Sequence, residues 1–166
     1  MPELIDPFHR SIVYLRLSVT DRCDFRCHYC IPKGYRDFTP PDTWLSFDET
    51  ERLVRLFLEL GVRRVRLTGG EPLTRRGVPD LARRLGALPG LEDLSLSTNA
   101  SQLARHAEAL KQAGVARINV SLDTLVREKF ERMTRRDELD NVLAGIDAAV
   151  EESLDAIGEA LDANGR

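Results

Sequence analysis

The sequence is poor in the residues that build disulfide or zinc frameworks. It has three cysteines and three histidines in 166 residues. An odd number of cysteines leaves one over in any disulfide scheme. A single structural zinc, with four closed ligands, would have to recruit a histidine such as His28. No apolar run approaches the length that crosses a bilayer. The start, Met1-Pro2-Glu3-Leu4-Ile5-Asp6, has no basic segment followed by an apolar one, so no signal peptide is expected. With unpaired thiols, these absences point to a reducing cytoplasm. A large excess of basic charge is also missing. The chain carries a formal net charge of −3, and its last sixteen residues alone carry −4. The body is therefore close to neutral despite its arginines, and a general nucleic-acid binder is not expected.

All three cysteines fall within eight residues, as Cys23-x-x-x-Cys27-x-x-Cys30. Three closely spaced thiolates suit an iron–sulfur cluster with one iron left open to a small molecule. Asp21, Arg22, Asp24, Arg26 and His28 make the segment a polar loop, a poor place for inert buried thiols. A zinc site or a partner-binding loop stays open on these residues alone.

The hydrophobic pattern alternates between periods of two and 3.6. Strands are expected at 12–19, 62–67, 91–97 and 115–122. Helices are expected from Phe47 to Gly61, over 77–88 and over 101–113, with a helical region after 122. Ser46 and Glu49 form a capping-box pattern for the first helix, whose apolar face reads as Leu53, Leu56, Phe57 and Leu60. The stretch 31–46, with Pro32, Pro40 and Pro41, should be irregular. In the last part Asp137 is a candidate cap. Leu139, Val142, Leu143, Ile146, Val150, Leu154, Ile157 and Leu161 continue one stripe, which predicts a single helix reaching about Ala163.

Four βα units argue for an α/β fold with parallel strands and right-handed crossovers. Ligands in such folds bind at the carboxyl ends of the strands. The cysteine loop, Gly69-Gly70-Glu71-Pro72, Ser97-Thr98-Asn99 and Asn119-Val120-Ser121-Leu122-Asp123 all fall there. The glycine pair gives a ligand access to backbone groups. Glu71 could orient a ligand ammonium or brace the loop. The hydroxyl and amide groups either cap the next helix or bind a ribose or carboxylate. Arg16 and Arg66 interrupt apolar strands. If they face inward, they need an anion.

The cysteine motif with Tyr29, together with Gly-Gly-Glu-Pro, resembles the radical S-adenosylmethionine enzymes. Tyr14–Cys23, Arg66–Leu73 and Arg117–Leu125 resemble, within that superfamily, the GTP 3′,8-cyclase family of molybdenum cofactor biosynthesis. The likeness covers about Leu4 to Val150. It implies a partial (β/α) barrel of the radical SAM type, not closed, with residues 1–150 as the core; after Val150, where that family has a helix stop and a fifth strand, this chain departs, and its own stripe predicts an acidic helical tail over 151–166. It implies one 4Fe–4S cluster on Cys23, Cys27 and Cys30, and S-adenosylmethionine contacts at Tyr29, Gly70 and Ser121. It further implies GTP contacts at Arg16, Arg66 and Ser97, reductive cleavage to a 5′-deoxyadenosyl radical, and a reductant protein as electron source. Nothing in it implies a nucleic-acid or membrane partner. Where that family has glycine after the asparagine, this chain has Ala100, so a positive φ there would be strained. The family's proteins are longer and carry a second cluster, so a truncated form is expected, or a compact variant. Four strands cannot close a barrel, and a homodimer or the terminal helix could cover the open edge.

Overall fold

The computed structural model describes residues 4–152 and 154–159, the last five by their backbone path. One parallel sheet carries the fold, in the order β1 (Tyr14–Ser18), β2 (Arg64–Thr68), β3 (Asp93–Thr98), β4 (Val115–Ser121) and β5 (Asp155–Glu159). Strand order equals chain order, so each crossover adds its strand to the same growing edge. The sheet is open among the described residues, as an incomplete barrel requires.

The helices are α1 (Phe47–Glu59), α2 (Val78–Gly86), α3 (Ala107–Gln112), α4 (Arg127–Thr134) and α5 (Leu139–Glu151). Alternation along the strands gives the sheet two chemically different faces. Leu17, Val65, Leu67, Leu94, Leu96, Ile118 and Val120 form the apolar face, buried with Leu81, Leu85, Leu110 and Val142 from the helices. Each fully buried leucine contributes about 1.5–3 kcal/mol. The other face carries Arg16, Arg66, Ser95, Ser97, Arg117, Asn119 and Ser121, and becomes the barrel interior.

Ser46 and Glu49 do cap α1. The Ser46 hydroxyl accepts from Glu49 N at 3.2 Å, and the Glu49 carboxylate accepts from Ser46 N at 2.8 Å. The buried stripe of α1, however, is Thr50, Val54 and Leu58, and Leu56 is 49% exposed. Thr50 enters the core because its hydroxyl donates to Ser46 O at 2.8 Å. The segment 31–46 is irregular apart from a 3₁₀ turn at Pro41–Thr43. The helix expected over 101–113 is a 3₁₀ turn at Leu103–Arg105 followed by the short α3. The side chains of Ser101 and Gln102 donate to Asp24 instead of serving a helix start.

The largest departure is at the end of the chain. The helix expected to run to Ala163 stops at Glu151, and Asp155–Glu159 is a fifth strand, parallel to β4 from Arg117↔Asp155 to Ser121↔Glu159. The edge of β4 has backbone donors and acceptors to satisfy, and a strand satisfies them where a longer helix would not. The expected helical character of residues 160–166 lies outside the described residues. Asp137 does not cap α5. It pairs with Arg127, and α5 begins after Glu138 without a side-chain cap.

Candidate active site

The polar face of the sheet and the cysteine loop enclose a cavity of about 420 Å³. Arg16, Arg66, Ser97 and Ser121 line it from the strands, and Cys23, Cys27, Tyr29 and Cys30 from the loop after β1. Gly69 and Gly70 complete the wall after β2. Every site residue expected from the sequence thus reaches one cavity at the carboxyl ends of the strands.

The loop is fastened on three sides. Gly70 N donates to Thr20 O and Glu71 N to Arg22 O, both at 2.8 Å. A Cβ on Gly70 would press into the Arg22 carbonyl, and one on Gly69 into the Thr20 carbonyl. The glycine pair is therefore needed first to let the cysteine loop lie against β2. On the second side, the Asp24 carboxylate accepts from Asn99 Nδ2 at 2.7 Å and from the Ser101 hydroxyl at 2.6 Å. On the third, Arg26 N donates to Thr134 O at 2.9 Å and His28 N to Met133 O at 3.0 Å.

Glu71 braces the glycine turn and does not face the cavity. Its side chain is buried and accepts from Leu73 N, Thr98 Oγ1 and Asn99 N at 3.0, 2.8 and 2.6 Å. Thr98 and Asn99 also shape the turn after β3: Thr98 Oγ1 accepts from Ala100 N and Asn99 Oδ1 from Ser101 N, each at 3.0 Å. Ser97, Thr98 and Asn99 all border the cavity, and the side chains of Thr98 and Asn99 also serve the turn. Ala100 is buried at φ 63°, the left-handed strain expected at that position.

At the rim, the Tyr29 hydroxyl donates to Asp123 Oδ2. Burial and this carboxylate both raise the Tyr29 pKa, so the phenol stays protonated. Arg16 and Arg66 are Cα partners on neighbouring strands. They sit two residues before the strand ends, about 6–7 Å deeper than the rim. Arg66 Nε donates weakly to Ser95 Oγ at 3.4 Å. Arg66 also lies over the Tyr14 ring, 5.6 Å from its centroid, and among the described residues neither guanidinium meets a carboxylate within ion-pair distance, so the floor offers two cations without an acidic partner.

The donor set fits an iron–sulfur cluster. Burial pushes the Cys23 thiol up to about 12 and raises Cys27 as well. A thiolate at neutral pH in this place needs strong positive charge beside it. Among the described residues no three Cys, His, Asp or Glu side chains are close enough to hold a single metal ion. His28, the candidate fourth ligand for zinc, has its Nδ1 beside Met133 O at 3.4 Å.

Residues 17–159 match the Radical SAM superfamily. The chain belongs to this superfamily. Among curated relatives it is 54% identical over 155 residues to a GTP 3′,8-cyclase of Ectopseudomonas mendocina, covering 93% of this chain and 46% of that protein. It is 56% identical over 149 residues to GTP 3′,8-cyclase 1 of Pseudomonas aeruginosa, covering 90% of this chain and 45% of that one. The chain thus spans about half the length of the curated relatives it matches. Solved structures share its fold. HydG, a maturase of the [FeFe]-hydrogenase, superposes with TM-score 0.71 at 19% identity, over 89% of this chain and 35% of that one. Streptococcus suis SuiB, bound to S-adenosylmethionine, gives 0.69 at 21% identity, over 88% and 31%. Among the described residues of this radical SAM chain, no helix is long and apolar enough to cross a membrane.

Four residues contribute to the site in roles that the sequence does not single out. Asp24 was read as loop polarity, yet it ties the loop to the end of β3. Asp123 stood in a motif without its link to Tyr29. Phe130 and Thr134 of α4 line the cavity, and Phe130 meets Phe25 edge to face at 5.7 Å. The one available signal for Asp24 was a short acid directly after a cysteine, matched by the amide and hydroxyl cluster at 99–102.

Proposed function

We propose that this chain holds a 4Fe–4S cluster on Cys23, Cys27 and Cys30 with S-adenosylmethionine beside it, and supplies the radical-generating site of a GTP 3′,8-cyclase in molybdenum cofactor biosynthesis. The observation that carries the reading is one cavity with three thiols at its rim and two arginines without an acidic partner on its floor. The identity to named GTP 3′,8-cyclases supports the substrate. A reducing, cytoplasmic compartment and an external one-electron donor protein belong to the same proposal.

Cys23, Cys27 and Cys30 would hold the cluster, which would supply the one-electron reduction that cleaves S-adenosylmethionine for radical chemistry on the nucleotide. The chain's own residues bind and orient. Gly70 is exposed and leaves backbone polar groups within reach of the ligand's amino-acid end. The Ser121 hydroxyl suits a ribose or carboxylate, and Tyr29, held by Asp123, forms the adjoining wall. Deeper in, Arg16 and Arg66 offer paired N–H donors to a triphosphate, and the Ser97 hydroxyl lies between the two ends.

Anaerobic reconstitution tests the reading. About four iron and four sulfide per chain are expected, with 5′-deoxyadenosine formed on reduction in the presence of S-adenosylmethionine. A chain that takes up no iron sinks it. Arg16→Ala and Arg66→Ala should each weaken GTP binding by about tenfold or more, since a charge-assisted hydrogen bond is worth about 1.5–3 kcal/mol. Unchanged affinity in both variants would remove the nucleotide assignment.

A further inference from the structure

One side-chain amide in the cavity wall points at a ligand sulfur. Asn99 is 8% exposed and borders the cavity beside Cys23. Its backbone N donates to Glu71 Oε2 at 2.6 Å, which fixes the residue against the buried brace. Its Oδ1 accepts from Ser101 N at 3.0 Å, and its Nδ2 donates to Asp24 Oδ1 at 2.7 Å. These two bonds assign the amide, because a backbone N–H meets only the oxygen and a carboxylate only the nitrogen. Nδ2 carries a second hydrogen. The neighbour on that side is Cys23 Sγ, at 3.8 Å. A buried N–H requires an acceptor, and the large sulfur lengthens such a contact.

The same sulfur lies 3.8 Å from Asp24 Oδ1. As a thiol, Cys23 can donate to that carboxylate. As a cluster ligand it has lost its proton, and then it only accepts. Thiolate and carboxylate repel each other at this separation, and Asn99 Nδ2, bonded to both, is the donor between them. The Phe25 backbone N–H also favours the Cys23 thiolate, but it bonds Asp24 Oδ1 as well, at 3.1 Å. Hydrogen bonds to the sulfurs and the net charge around them set the potential of an iron–sulfur group. Reduction increases the negative charge on the sulfurs, so a donor to sulfur raises the potential and a neighbouring carboxylate lowers it.

We propose that Asn99 is a positioning residue acting through Cys23: its Nδ2–H bonds the thiolate and holds the potential of the group bound there above the value that Asp24 alone would set. The inference rests on the proposed function and adds the residue that tunes its electron-accepting step. In that step an external one-electron reductant loses one electron and the group held by the thiolates gains it; no bond forms or breaks and no proton moves.

The test is an anaerobic redox titration of the reconstituted chain, read by the electron paramagnetic resonance signal of the reduced cluster, without S-adenosylmethionine or GTP. Asn99→Ser keeps an oxygen for Ser101 N and has no N–H to reach the sulfur. Its potential should be more negative than that of the wild type by up to about tenfold in the one-electron equilibrium constant, which is about 59 mV. Asn99→Asp, of the same shape without the donors, should lie lower still, because it adds a carboxylate beside Asp24. Ser101→Ala removes a different bond to Asp24 and leaves the sulfur contact in place, so it should shift the potential by less than half as much as Asn99→Ser. A potential unchanged or raised in either Asn99 variant overturns the inference, as does an equal shift in Ser101→Ala. Loss of the cluster from both Asn99 variants also overturns it, since Asn99 would then be a fastening alone. If the wild-type chain forms no cluster, the proposed function fails first and this inference falls with it.

Discussion

Replacing Glu71 by Gln separates the charge of this buried group from its shape. The side chain is 1% exposed, and burial raises its pKa from 4.5 to about 7, although three donors favour the ionised form. In the unfolded chain it titrates near its ordinary value. Between pH 4.5 and 7 the unfolded chain has released the proton while the folded chain still holds it. Unfolding then releases a proton, so stability falls as pH rises. The contribution is fully present below pH 4.5 and lost above pH 7, and the shift is worth about 3 kcal/mol in total. Gln cannot ionise, so it lacks this dependence. Urea denaturation of both proteins at pH 5 and pH 8 should show the variant gaining on the wild type by about 2–3 kcal/mol at the higher pH. Other titrating groups are common to both chains and largely cancel in the difference. The reasoning is refuted if the gap between the two is the same at both pH values. Glu71→Ala removes the acceptor altogether, leaving two backbone N–H groups and a hydroxyl unpaired at about 1–3 kcal/mol each; it should unfold far more readily at either pH.

Gly70→Ala should cost about 1–3 kcal/mol in denaturation midpoint, because its Cβ needs the space of the Arg22 carbonyl, and should lower iron retained per chain after desalting. Asp24→Ala unties Asn99 and Ser101 from the loop and should likewise speed iron loss to a chelator, whereas Asp24→Asn, which keeps one acceptor oxygen, should retain iron better than the alanine variant. At Ala100 two effects oppose each other. The left-handed backbone costs about 1–2 kcal/mol, and the buried methyl contributes about 0.8 kcal/mol. Ala100→Gly should therefore change stability by less than about 1 kcal/mol, and a large loss would show that the methyl dominates.

The strands and their polar ends were legible because a period of two cannot be mistaken when arginine, serine and asparagine alternate with leucine and isoleucine. The same periodicity placed Arg16 and Arg66 as candidates for the interior without proving the face. Helix faces were harder. In α1, Leu53, Leu56, Phe57 and Leu60 form a helical stripe, but so do Thr50, Val54 and Leu58. A threonine counts as polar until its hydroxyl is satisfied by the preceding turn, which is what Ser46 O does. The end of the chain failed for a long-range reason. Val150, Leu154, Ile157 and Leu161 satisfy helical spacing, yet the unpaired edge of β4, more than thirty residues earlier, turns 155–159 into a strand. Local pattern carries no information about a vacant edge elsewhere. The role of Glu71 was open between ligand and brace, and burial decided it.

The two ends of the cavity differ in how far this chain determines them. The fastenings of the cysteine loop come from residues between Thr20 and Arg136: the glycine turn after β2, the Asp24 contacts with the end of β3, the backbone bonds to the end of α4, and the Arg136 bond to Asp24 O. The geometry around the thiols therefore follows from elements present in the chain and well packed on the core. The arginine end is less enclosed. Arg16 lies on the edge strand β1 and is exposed, and Arg66 has one long hydrogen bond to a serine. Under the proposed function, cluster assembly and S-adenosylmethionine cleavage are thus the properties expected to depend least on anything beyond this arrangement, and GTP affinity the one expected to respond most to further contacts on the open side. Measuring the two separately on the same reconstituted protein distinguishes them: cleavage without tight GTP binding would match the difference in enclosure, and tight GTP binding without cleavage would contradict it.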